Sequence, residues 1–289
     1  MSNQDLMIKN GTQQTLQPVS DKELKLVRVT ESMLSHTLTE TIAALQLILR
    51  DGNLPPDLFD YGYRSELNCR GTMAKINGVI ELYAEDDAAS SLRIAAYDLH
   101  QFFTALCNQL NRALGHKFKG KISFRTGEEE SATVSLDARR VSMIVYHLVS
   151  NAVQHGRTEN KNVELSATLS RTALELTVRD FGGGIPATKV DYLFAGFTRP
   201  PELSEIVESP MPPTLRGIGL PLCKKLAEDM HGSIQLKNYK TGAKFILQLP
   251  HYRERVQEVS VYLPDDTLMI GCMSDLFLLL MDEEWEESI

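Results

Sequence analysis

Between Leu26 and Tyr83 the chain has the pattern of two helices and too little apolar material to enclose a core. Leu26, Val29, Met33, Leu38, Ile42, Leu45 and Leu49 recur mostly at steps of three and four, which places them on one helical face. Asp51-Gly52-Asn53 and Pro55-Pro56 stop that run. A second helical pattern covers Tyr63 to Tyr83, with Leu67, Met73, Ile76, Ile80 and Tyr83 on its apolar side. Two long helices joined by a Gly/Pro turn make an antiparallel hairpin. About 65 residues in that form cannot bury a core alone. Pairing with a second copy into a four-helix bundle solves the problem most economically, so a homodimer is expected. Packing of the hairpin against the chain's own C-terminal region is the alternative.

The rest of the chain sets further bounds. Its 289 residues are 43% hydrophobic and 24% charged, a globular composition with room for two modest domains. The net charge is −8. Residues 251–289 hold ten acids against Arg253 and Arg255, so the body is neutral and the tail carries the excess. A neutral body argues against nucleic acid, which demands clustered Lys and Arg. No apolar run reaches the roughly 20 residues of a membrane span. The first twenty residues lack a basic start followed by an apolar stretch. A cytoplasmic protein without a membrane span is expected. Cys69, Cys107, Cys223 and Cys272 lack metal-ligand spacing and read as buried small apolar groups.

Four regions follow: a flexible arm at 1–20, the hairpin at 21–90, an α/β region at 91–250 and an acidic extension at 251–289. In the α/β region Tyr97–Leu114, Ala138–His155 and Leu220–His231 have helical patterns. Lys121–Thr126, Ala132–Leu136, Val163–Leu169, Ala173–Asp180, Ser233–Leu236 and Lys244–Leu249 have strand patterns. The expected fold class is α+β, a helical hairpin followed by a two-layer α/β sandwich.

Chemistry-bearing residues cluster in that region. His147 and Asn151 are four apart on one helix face, with His155 a turn further. An Asn amide oxygen is a neutral ligand suited to Mg²⁺, which keeps waters and shares phosphate oxygens. Asp180-Phe-Gly-Gly-Gly-Ile-Pro186 puts a carboxylate before a glycine turn, where it can accept from an exocyclic amine while backbone approaches a ring closely. Arg216-Gly-Ile-Gly-Leu220 opens a helix whose N–H groups face an anion. Thr241-Gly242 precedes the last strand of the region.

In order and at these spacings, residues 93–250 resemble the ATP-binding (Bergerat-type) domain of the histidine kinase, gyrase, Hsp90 and MutL superfamily. Asp137 to Asn151-Ala152 resembles its N box, and Asp180-Phe-Gly182-Gly-Gly184 its first glycine box. Leu193-Phe194-Ala-Gly-Phe197 resembles the F box of histidine kinases. Arg216-Gly217-Ile-Gly219-Leu220 with Met230-His231-Gly232 resembles the second glycine box, and Thr241-Gly242 the third. The F box and the preceding hairpin point to two-component histidine kinases. The resemblance implies Mg·ATP as cofactor, with Asn151 the metal ligand and Asp180 the partner of the adenine amine. It also implies a nucleotide site drawing on His147, His155, Gly182, Gly184, Ile185, Phe194, Phe197, Arg216, Gly217, Gly219, Leu220 and Lys224. A lid from about Thr198 to Leu215 would carry five of the chain's twelve prolines. Where the family often has Asn or Glu four residues before the magnesium Asn, this chain has His147. Where it often has Lys three residues after, this chain has Gln154, so a phosphate contact passes to His155 or Lys224.

The family's phosphoacceptor usually lies within Ser-His-Glu-Leu-Arg-Thr-Pro-Leu. The matching stretch is Ser35-His36-Thr37-Leu38-Thr39-Glu40-Thr41-Ile42. The acid beside the His is replaced by Thr37 and the proline by Thr41. An imidazole attacking phosphorus needs one nitrogen lone pair free and an acceptor for the other N–H. Glu40, one turn along, is in reach of that role. A carboxylate at that position also disfavours phosphatase activity. In the tail, Val259–Leu263 and Thr267–Ile270 read as short strands and Ser274–Glu286 as an acidic amphipathic helix, either a flap on the ATP domain or a docking surface.

The expectation is a histidine kinase that autophosphorylates on His36 and passes the phosphoryl group to a response-regulator aspartate. Its signal would arrive through a separate sensor or regulatory protein, the arm or the tail. A non-catalytic histidine phosphotransferase or scaffold is the alternative. A serine kinase of the anti-sigma type is opposed by the hairpin, and a gyrase- or MutL-like ATPase by the absence of Glu four residues before Asn151.

Overall fold

The computed structural model describes residues 21–83, 92–127, 132–156, 161–186, 190, 193–194, 217–251 and 259–287, with side chains from 29 to 282. In chain order the elements are α1 (Asp21–Leu49), α2 (Pro56–Tyr83), β1 (Ile94–Asp98), α3 (Leu99–Leu114), β2 (Ile122–Thr126), β3 (Thr133–Asp137), α4 (Ala138–His155), β4 (Val163–Leu169), β5 (Ala173–Asp180), α5 (Gly219–Asp229), β6 (Ser233–Tyr239), β7 (Gly242–Pro250), β8 (Val259–Ser260) and α6 (Asp266–Glu287). The described residues fall into two units, a helical one of 21–83 with 265–287 and an α/β one of 92–264.

In the helical unit α1 ends where the Asp51 carboxylate accepts from the Asn53 N–H at 3.0 Å, an Asx turn. Pro56 opens α2 at the first helical position, where its missing N–H costs nothing. That start precedes the sequence-based one at Tyr63, because the first turns expose Leu58, Phe59 and Tyr61 and so break the apolar period. Ile42 and Leu67 are buried. Glu66 is also buried, and its carboxylate is answered by Gln46 at 2.9 Å and by Arg70 at 2.7 Å.

Helix α6 packs on another stretch of α2. Gly271 lies against Ala74, and Ser274 lies over Gly71, where an added Cβ would come within 2.1 Å of its Oγ. Lys75 pairs with Asp275 at 2.7 Å, and Arg64 pairs with Asp282. Thr267–Ile270 is therefore helix rather than the strand its local alternation suggests. The Asp265 carboxylate accepts from Leu268 N–H at 3.0 Å and starts the turn. Met269, Met273, Leu276 and Leu280 then bury at heptad steps. Part of the cover the hairpin needs thus comes from its own chain. Val29, Met33, Leu34, Leu47, Ile48, Leu58, Phe59 and Tyr61 stay exposed.

The α/β unit is built on a five-stranded sheet in the order β2-β4-β5-β7-β6, antiparallel except for β2 with β4. A smaller sheet runs β3-β1-β8. Helix α3 packs on β1 and β2, α4 on β3, β4 and β5, and α5 on β6 and β7. Strand β1 escapes the sequence pattern because it runs straight into α3. Asp98 ends the strand and caps the helix, accepting from Gln101 N–H at 2.7 Å, so Tyr97 belongs to the strand. Beyond Ser260 no strand continues to Leu263. Cys107 and Cys223 are buried, and burial pushes the Cys107 thiol up to about 12. Cys69 and Cys272 are only partly covered.

Because the α2–α6 seam depends on small residues, Gly71→Leu must part it. We expect a loss of about 1–3 kcal/mol in denaturant unfolding. Amide exchange should accelerate in 266–287 while 138–155 keeps its protection.

Candidate functional site

Helix α4 carries the first site residues and is set by Asp137 at its N-cap. One oxygen of that buried carboxylate accepts from Arg140 N–H at 3.1 Å, the other from Arg93 N–H at 3.0 Å. Val141, Ile144, Val145, Leu148 and Val149 are buried. This leaves His147 and Asn151 half-buried and His155 exposed on the remaining face.

Asp180 ends β5 and fixes the glycine turn. Its Oδ1 accepts from Gly182 N–H at 2.9 Å and from Ala243 N–H at 3.1 Å. The second bond requires β7 to begin against Asp180, and only glycine permits that. Gly242 has φ 140°, and a Cβ there would lie 2.1 Å from the Asp180 carbonyl oxygen. Gly184, at φ 71°, is equally close to the Tyr239 carbonyl. The Asn238 side chain clamps the turn in both directions, accepting from Ile185 N–H at 2.9 Å and donating to its carbonyl at 2.6 Å. On the other side a Cβ on Gly182 would sit 3.3 Å from the His155 carbonyl oxygen, so the end of α4 abuts the same turn.

His147 reaches the second glycine pair. Its Nδ1 lies 3.2 Å from where a Gly219 Cβ would stand, so the imidazole packs under the start of α5. Gly217 has φ 85°, and a Cβ there would meet nothing within 4 Å among the described residues. Phe194 meets the ring of Phe245 on β7 edge-on at 6.4 Å. Leu220 is half-buried at the start of α5. Lys224 makes a loose exposed pair with Glu228 at 3.9 Å. Gln154 donates to Ser150 Oγ at 3.1 Å, on its own helix. Phe197, Arg216 and the lid at 198–215 lie outside the described residues. The structure therefore brings Asp180, Gly182, Gly184, Ile185 and the end of α4 together, and separately joins His147 to Gly219. Asn238 and the Ala243 N–H were missed by sequence reasoning. Only their neighbourhood to Thr241-Gly242 could have flagged them.

The donor set suits a nucleotide. The carboxylate has Oδ1 fixed by backbone donors, Oδ2 makes no hydrogen bond among the described residues, and the glycines allow backbone to line a ring. A cation would find one neutral amide, Asn151. Among the described residues no cluster of three His, Cys, Asp or Glu could hold a metal. Such a site leaves most ligands to phosphate and water, as Mg²⁺ prefers.

In the helical unit His36 is exposed, and its Nδ1 lies 3.5 Å from Glu40 Oε2. The Thr37 hydroxyl donates back along its own helix to the Met33 carbonyl at 3.1 Å. Thr39 and Thr41 do the same to Ser35 and Thr37. With no proline at 41, α1 runs on without interruption.

Residues 136–253 match the family described as Histidine kinase-, DNA gyrase B-, and HSP90-like ATPase. They form an ATPase domain of that family. Adaptive-response sensory kinase SasA of Synechococcus sp. (strain JA-2-3B'a(2-13)) is 27% identical over 237 residues, 77% of this chain and 59% of that protein. Sensor histidine kinase MtrB of Mycobacterium tuberculosis (strain ATCC 25618 / H37Rv) is 28% identical over 131 residues, 43% of this chain and 21% of that one. The chain spans 59% or less of the length of these curated relatives. Among solved structures, full-length ShkA in complex with AMPPNP matches with a TM-score of 0.59 at 18% identity, covering 81% of this chain and 46% of that one. Histidine kinase ThkA in complex with response regulator protein TrrA matches at 0.51 and 18%, covering 81% and 64%. Beyond the ATPase domain, the chain is thus similar to sensor histidine kinases at 27–28% identity. No helix among the described residues is long and apolar enough to cross a membrane.

The close approach of β7 to Asp180 within the ATPase domain gives a direct test. Gly242→Ala should cost about 2 kcal/mol or more in unfolding free energy, through the 2.1 Å clash at a φ of 140°. Loss of adenine-nucleotide binding should accompany it, read by calorimetric titration with ADP.

Proposed function

We propose that the protein is an ATP-dependent histidine kinase that phosphorylates His36 and hands the phosphoryl group to the aspartate of a response-regulator receiver domain. The observation that carries this reading is the His36–Glu40 pair, 3.5 Å apart on an exposed helix of a chain that also has the ATPase domain. With Nδ1 facing the carboxylate, Nε2 is the nitrogen whose lone pair attacks the γ-phosphorus. Glu40 holds the Nδ1 proton and offsets the charge that develops on the ring. The bond to the departing ADP breaks as the N–P bond forms.

Asp180 would accept the adenine amine through Oδ2, since Oδ1 already holds the turn. Asn151 would hold Mg²⁺, which neutralises triphosphate charge when bound. His147, under Gly219, and the start of α5 would face the phosphates. His155, Gly182, Gly184, Ile185, Phe194, Phe197, Arg216, Gly217, Leu220 and Lys224 complete the proposed nucleotide site. The exposed apolar side chains at the hairpin turn, Leu47, Ile48, Leu58, Phe59 and Tyr61, favour a homodimer. The proposed setting is cytoplasmic, with input from a separate sensor or regulatory protein.

A non-catalytic phosphotransfer or scaffold role is favoured by one observation. Gln154 is turned onto Ser150, at a position where the family often has a phosphate-binding lysine.

Incubation with γ-labelled Mg·ATP separates the two. A kinase takes up acid-labile label that His36→Gln and Asn151→Ala abolish, and that Glu40→Gln slows by about 10²-fold or more. Nucleotide binding without label would support the scaffold. Asp180→Asn keeps an oxygen to accept both backbone N–H groups, so the fold should survive. Its affinity for ATP should fall about tenfold or more through the lost pairing with the amine.

A further inference from the structure

After the ATPase domain the chain does two different things within thirty residues. Val259 and Ser260 form β8, pairing in parallel with Ala96 and Tyr97 of β1. Val261 and Leu263 are 81% and 80% exposed, but Tyr262 between them turns inward. Its ring lies 4.1 Å from that of Phe102 and 6.3 Å, edge-on, from Tyr97. Its hydroxyl is 2.7 Å from Ser142 Oγ on α4. Residues 259–262 are thus strapped to the α/β unit. Four residues on, α6 begins and belongs to the helical unit, where Met273 and Leu276 are fully buried and Gly271 and Ser274 fit against α2.

Between Tyr83 and Leu92, chain length alone would let the two units separate by about 30 Å. The stretch from Tyr262 to Asp266 reaches at most about 14 Å. We infer that the strap at 259–262 and helix α6 form a second tether between the units, which limits how far the ATPase domain travels from α2 and opens at Tyr262. The strap is the weaker anchor, with two residue pairs and one ring against a 22-residue helix. The Tyr262–Ser142 contact touches α4, the helix that carries Asn151. Reading the tether as control of phosphoryl transfer rests on the kinase function proposed above, but the restriction itself does not.

Two spin labels on non-canonical residues at Asp57 and Arg171 test it in the full chain, with labelled protein diluted in unlabelled protein. A Gly-Ser segment of about twelve residues between Leu263 and Pro264 lengthens the tether roughly fourfold and leaves both anchors intact. The pulsed-resonance distance distribution should then broaden, and the effective concentration of one unit for the other should fall by up to about eightfold. Tyr262→Ala should broaden the distribution as well, and Tyr262→Phe less, since it keeps the ring. An unchanged distribution in the lengthened protein overturns the tether, whatever the kinase assay gives. A broadened distribution with no label on His36 in any variant retains the tether and removes the kinase reading. With labelling intact, the lengthened protein should phosphorylate His36 at least about threefold more slowly at unchanged ATP affinity.

Discussion

Much of the ATPase domain hangs on one carboxylate oxygen. Asp180 Oδ1 takes two backbone N–H groups, one from its own turn and one from the first residues of β7. That pairing brings the end of β5, the β6–β7 connection and the glycine turn to one point. Gly242 and Gly184 are glycines because a side chain at either would enter a neighbouring carbonyl. Packing explains the sheet; this hydrogen-bonded knot explains why the glycine turn and the start of β7 meet at its end.

The helical unit poses a different problem, apolar side chains that a hairpin cannot cover by itself. A two-helix hairpin has one seam, and here that seam holds Ile42, Leu67 and a satisfied Glu66. Helix α6 adds a second seam, held close by Gly71 and Gly271 and flanked by two ion pairs. Exposed pairs of this kind contribute little stability, so the small residues and buried methionines set the fit and the charges set its register.

Legibility in the sequence followed the strength of local pattern. Helix α4 and strands β4 and β5 were readable to the residue, because their apolar positions keep one period against one surface. The glycine boxes were readable as an ordered set, and the structure gives two of the three a steric cause. Strand β1 was not, since Asp98 closes a strand and opens a helix with no intervening turn residues. The start of α2 was hidden by exposed aromatic residues, and the first turn of α6 by the local alternation around Thr267 and Ile270. Which surface a helix covers is not written in its own period, so the docking of α6 on α2 could not be read. Asn238 was invisible for a related reason. Its value lies in a partner 53 residues away.

The far ends of α4 and α5 are fixed to each other. Arg140, in the first turn of α4, faces Asp229 at the end of α5 across 3.8 Å, an ion pair buried from solvent. Lys225 holds the same carboxylate. Both helices are therefore joined at one end and carry Asn151 and Gly219 toward the other. At 1.5 Å per residue Asn151 sits about 16 Å along α4 from Arg140, so a tilt of about 3.5 degrees moves it by about 1 Å. A misplacement of that size between reacting groups can cost about a hundredfold in rate. In the proposed kinase, the stiffness of that distant junction would set the angular tolerance of phosphoryl transfer.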